Sequence, residues 1–104
     1  MLLWTNPNQT SAQDAFDVSL DLSKYKGILV YGKCTANANA KCWPVYVLKG
    51  ATGFFTPFTT ATASYAMGRN VTVTATNVHF SRGANNLEEH VNYNNNIPTQ
   101  IYGV

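Results

Sequence analysis

The chain has 104 residues, of which 45% are hydrophobic and only 12% charged, about half the charged share usual for a soluble domain. The length suits one domain rather than two. The formal net charge is +2 and the basic residues are scattered (Lys24, Lys26, Lys33, Lys41, Lys49, Arg69, Arg82), which argues against a nucleic-acid footprint. No stretch approaches the ~20 apolar residues needed to cross a bilayer, which argues against membrane insertion.

The start, "MLLWTNPNQ", lacks the basic region and long apolar core of a signal peptide. Met1 directly before a strand-like segment reads as a cloning start. Two glycosylation sequons, at Asn8 and Asn70, are of the kind that an Asn/Thr-rich chain contains by chance. The surface must be covered largely by Thr, Asn, Ser, Ala and Tyr, a coat that suits extracellular or virion proteins.

In chain order, the elements read as strands. "QDAFDVSLDL" alternates, with Phe16, Val18, Leu20 and Leu22 on one side and Asp17, Ser19 and Asp21 on the other. "DLSKYKG" turns, with Gly27 as the stop. "ILVYGKC" is a nearly continuous apolar strand, expected to be central and covered on both faces. "AKCWPVYVLK" carries Pro44, which lacks a ladder N–H and belongs at an edge or bulge. "GATGFFTPF" reads as an irregular strand or as a loop with inward aromatics, and "TATASYAMG" as a short strand ending at Gly68.

"RNVTVTATNVHFSRG" is the best hairpin, with Val71, Val73, Val78 and Phe80 inward and a two-residue Thr76–Asn77 loop in which Asn tolerates positive φ. A polar loop, "GANNLEEHVNYNNN", leads to the last strand, "IPTQIYGV". That strand places Ile97 and Ile101 on one face, the core side, and Tyr102 and Val104 on the other, where a subunit partner fits. The apolar ends, Leu2 to Trp4 and Ile97 to Tyr102, must lie in a sheet and are candidates to pair. Eight or nine short strands without a significant helix define an all-β antiparallel sandwich or a jelly-roll-like barrel.

The chemistry-bearing residues are few. Cys34 and Cys42 flank a short loop and are either bridged across a hairpin base or, the favoured reading, two small buried thiols. His79 alternates out of phase with Val78 and Phe80 and reads as a solvent-facing strand histidine. The competing reading, three such imidazoles around a metal on a trimer axis, has one ligand per chain. His90 beside Glu88 and Glu89 is either a base with carboxylate support or a solvated loop, and the solvated loop is favoured. No nucleophile elbow occurs. The five acids, three of them at Asp14, Asp17 and Asp21, leave few routes to a glycosidase pair. The expectation is a non-enzyme with no metal and no cofactor.

Binding fits better. In the long loop, Asn92, Asn94 and Asn95 surround Tyr93, with His90 close by. Amides both donate to and accept from hydroxyls, and an aromatic face stacks on a sugar. Of the adjacent Phe54 and Phe55 one must face outward on a strand; Phe55 is the ring assigned to the site. The candidate ligand-binding residues are therefore Tyr93, Asn92, Asn94, Asn95, His90 and Phe55.

The blocks Leu3–Asn8, Val18–Tyr25, Arg69–Phe80 and "IPTQIYGV" occur in an order that resembles the C-terminal domain of tail-fibre and minor structural proteins of phages and prophages of Gram-positive, often gut, bacteria. There an "LWTNPNP" start leads to "VSLDLSDYD"-like residues, and the end is "IPxxIYGI"-like. This chain departs at Gln9, where proline is frequent, and in its cysteine pair. The resemblance implies that residues 1–104 are a single head domain, the last of a longer protein, on a virion tail tip. It implies a homotrimer that contacts a glycan or protein of the host surface, and it carries over no catalytic residues. The alternative role is a structural module that caps or trimerises the appendage; a glycan-degrading enzyme ranks lowest.

Overall fold

A computed structural model describes residues 1–34, 41–42, 44–55, 57–58, 67–85 and 96–104. At positions 34, 41, 42, 55, 57, 58, 67, 84 and 85 it describes the backbone alone. The strands are β1 (Leu2–Thr5), β2 (Phe16–Ser19), β3 (Gly27–Cys34), β4 (Lys41–Cys42), β5 (Val45–Leu48), β6 (Thr52–Phe55), β7 (Pro57–Phe58), β8 (Met67–Val73), β9 (Asn77–Phe80), β10 (Ala84–Asn85) and β11 (Asn96–Gly103). Eight of these have four or more residues, no helix occurs among the described residues, and every pairing is antiparallel.

Two sheets form. The six-stranded one runs β1-β11-β3-β4-β7, with β5 also on β3; the five-stranded one runs β10-β8-β9-β2, with β6 on the other side of β8. The all-β antiparallel expectation holds as a two-sheet sandwich. Strands β1 and β11 pair, as the apolar chain ends demanded. Pro44 divides its segment into β4 and β5 at the rim of β3 and lies in neither, as a proline without a ladder N–H requires.

Period-two alternation aims the core. From the six-stranded sheet Ile28, Val30, Val47 and Ile101 point inward; from the other come Val18, Val71, Val73, Val78 and Phe80, joined by Leu22. Trp4, Phe16 and Phe80 cluster with centroids 5.0–6.1 Å apart, an arrangement that adds to simple burial. A Cβ on Gly53 would come within 2.6 Å of Val47 Cγ2, so the glycine makes room for a valine from the opposite sheet. The chain crosses between sheets at a corner where Gly50 takes φ +87° and donates to Val73 O at 2.7 Å; a side chain there would be strained.

Four expectations need correction. Strand β3 is central, between β11 and β5, but only one face is covered: Tyr31 remains exposed and Leu29 half-buried. Gly68 lies inside β8 rather than ending a strand. The β8–β9 hairpin turns at Ala75–Thr76, because Val73 pairs with Val78 and Thr74 N donates to Asn77 O at 2.9 Å; no non-glycine residue among those described has positive φ. Finally, Ile97 pairs with Lys33 while Ile101 pairs with Val30, the register slipping between Pro98 and Gln100. The bulge at Thr99 inverts the alternation, so Ile97 is buried outside the core cluster that holds Ile101.

Candidate binding faces

The sandwich presents two outer surfaces of opposite character. On the five-stranded sheet, residues out of phase with the core form a polar row across four strands: Asp17, His79, Thr72 and Thr52 stand side by side by register. Asn77 Nδ2 donates to Asp17 Oδ1 at 2.8 Å, and His79 Nδ1 lies 2.9 Å from the same oxygen. These bonds, Asn77 first and His79 second, hold the Asp17 carboxyl below the usual range. The His79 and Asp17 side chains keep 45% and 59% of their surface. His79 therefore faces solvent, as its phase predicted. The Thr72 hydroxyl bonds Thr52 Oγ1 at 3.0 Å, so the row is a hydrogen-bonding ledge. Phe54, half-buried, pairs with Asn70 in the adjoining outer row.

The six-stranded sheet is apolar outside. Register aligns Leu2, Tyr102, Leu29 and Tyr46 across β1, β11, β3 and β5. Tyr31 meets the Tyr102 ring edge-on at 5.5 Å, and Leu48 continues the surface along β5. Tyr102 thus lies outside and Ile101 inside, as the alternation required.

One of the scattered basic residues is not at the surface. Arg69 is fully buried. Its guanidinium donates to the carbonyls of Ser81 at 2.7 Å and Asp14 at 3.1 Å, and to those of Gln13 and Asn96. It thereby ties the segment before β2, the end of β9 and the start of β11. Burial lowers its pKa to about 10, opposed by the Asp14 charge, and it stays cationic at neutral pH. Asp14 in turn receives a two-pronged bond from Arg82, Nε at 3.0 Å and Nη2 at 2.9 Å; Arg82 and the Ala15 N–H lower its carboxyl to about 2. The signal for Arg69 was present in the sequence, since it shares the phase of Val71 and Val73.

A second missed residue is Asn6, which is buried. Its Nδ2 donates to Pro98 O at 2.9 Å and its backbone N–H to Thr99 O at 2.9 Å, so it clasps the β11 bulge.

Of the candidate ligand-binding residues, His90, Asn92, Tyr93, Asn94 and Asn95 lie outside the described residues, as does the Phe55 side chain. The same holds for the side chains of Cys34 and Cys42. Comparison of the chain with protein-family models, with curated proteins and with solved structures gave no match.

Proposed function

We propose that the chain is a non-catalytic, homotrimeric head domain of a phage tail fibre, carried on the virion and recognising a carbohydrate of the host cell surface. The observation that carries this reading is the ledge on the five-stranded sheet. There, the carboxylate, imidazole, amide and hydroxyls of Asp17, His79, Asn77, Thr72 and Thr52 share one outer face of the sheet. Mixed donors and acceptors of this kind match sugar hydroxyls. The segment with Asn92, Tyr93, Asn94, Asn95 and His90 adds amides and an aromatic ring of the kind that contact sugars. The resemblance of four sequence blocks to tail-fibre proteins supports the setting. A second reading, a structural capping or trimerising module, is favoured by the apolar face of the other sheet.

The test is binding to polysaccharide purified from host cell walls. The wild-type protein is expected to bind and to leave the polymer at its original length. Replacing Tyr93, Asn92 and Asn94 with Ala together should cut affinity at least about tenfold without unfolding. Absence of binding to any host-surface fraction would sink the recognition reading in favour of the structural one, and shortened polymer would make the protein an enzyme.

A further inference from the structure

We infer that the polar ledge of the five-stranded sheet selects glycans that carry a protonated amine, with the Asp17 carboxylate as the group that receives it. This selectivity rests on the carbohydrate reading above and names the class of sugar.

Asp17 and His79 stand opposite one another on β2 and β9. Asp17 Oδ1 is approached twice, by Asn77 Nδ2 at 2.8 Å and by His79 Nδ1 at 2.9 Å. A carboxylate only accepts, so the imidazole proton sits on Nδ1 and the neutral ring keeps Nε2 as an acceptor. Asp17 Oδ2 has no partner among the described residues, and the side chain keeps 59% of its surface. The hydroxyls of Thr72 and Thr52 bond each other, which uses one of their two protons. The ledge therefore offers a carboxylate oxygen and an imidazole nitrogen that both accept, beside hydroxyls with a single proton to give.

Charge points the same way. The bonds from Asn77 and His79 hold the Asp17 carboxyl below its ordinary range, so it is ionised at neutral pH. No lysine or arginine stands in its row, and the adjoining outward residues, Ser19, Asn77 and Asn70, are uncharged. Past the end of β9, the Arg82 guanidinium is bonded to the Asp14 carboxylate. An acidic sugar would meet like charge here, and an uncharged sugar would give the carboxylate neutral donors. An ammonium gives it a charge-assisted bond, roughly twice as strong.

The test titrates the whole chain, at neutral pH and low salt, with an oligosaccharide of glucosamine, with the same oligosaccharide after N-acetylation, and with a polyuronate. The free-amine form is expected to bind at least about threefold more tightly than the acetylated one, within the range of an exposed ion pair, and the polyuronate most weakly. Asp17→Asn, which keeps the size of the side chain, should bring the amine and acetylated forms to equal affinity with circular dichroism unchanged. Concentrated salt should do the same to the wild type, with no change of sequence. Equal affinity of the two forms for the wild type would overturn the inference. So would a preference that Asp17→Asn or salt leaves intact, or tighter binding of the polyuronate. Binding to host wall polysaccharide, measured on the same samples, reports on the carbohydrate reading separately. A protein that binds the wall polymer without favouring the amine loses only the selectivity, and one that binds neither the wall polymer nor the probes loses both.

Discussion

At the residue scale, Arg69 is the most consequential side chain of the described structure. A buried cation must have its donors taken up, and Arg69 bonds backbone carbonyls from three segments, among them that of Asp14, whose carboxylate receives Arg82. The planar guanidinium suits this task because its N–H groups fan out in fixed directions, whereas an ammonium is a point. Arg69→Met should destabilise the protein by about 3–5 kcal/mol, because the carbonyls would remain buried without their donor. Arg69→Lys should cost about 2 kcal/mol or more, both read from urea unfolding. Equal stability of the Lys variant and the wild type would show that charge alone, and not the fork, is needed.

At the element scale, three of the four sequence blocks set out above touch. Asn6, in the opening block, clasps the bulge at Pro98–Thr99 in the closing block. Tyr25, in the second block, lies flat against Gly103 of the last strand, where an added Cβ would fall 2.7 Å from the ring. The glycine in "IYGV" is therefore a space requirement. Gly103→Ala should cost about 1–3 kcal/mol by overpacking. In a double-mutant cycle with Tyr25→Leu, measured by thermal unfolding, the two changes should couple by about 1 kcal/mol or more; additive effects would show that the ring and the glycine do not sense each other. These contacts fasten the two ends of the chain to the sandwich.

At the scale of the whole molecule, the acids among the described residues share one location and one direction of shift. Asp14, Asp17 and Asp21 all lie along β2 and its flanks, the rim of the five-stranded sheet, and all three are lowered from 3.8. Their first causes are Arg82 for Asp14, Asn77 for Asp17 and Ser23 for Asp21. A carboxyl whose folded pKa is depressed contributes stability above its unfolded pKa and loses it as the pH falls toward the folded value. Stability should accordingly be level above pH 5 and decline from about pH 4 toward pH 2. Urea midpoints across that range test it, and Asp14→Asn should show a shallower decline. A decline as steep as that of the wild type would remove Asp14 from the account.

The sequence alone determined the class of fold and the inward set of the clearest segments. Val18, Val71, Val73, Val78, Phe80 and Ile101 all lie where period-two alternation put them, because side-chain direction along a strand is a local property of the backbone. The same rule, applied to position 69, points Arg69 inward, where it is buried. Tertiary structure decided what depends on distant partners. The bulge at Thr99 and the turn at Ala75–Thr76 are set by the strand that each segment meets. Which face of β3 is covered depends on which layers pack against its sheet, and periodicity within one strand carries no record of that.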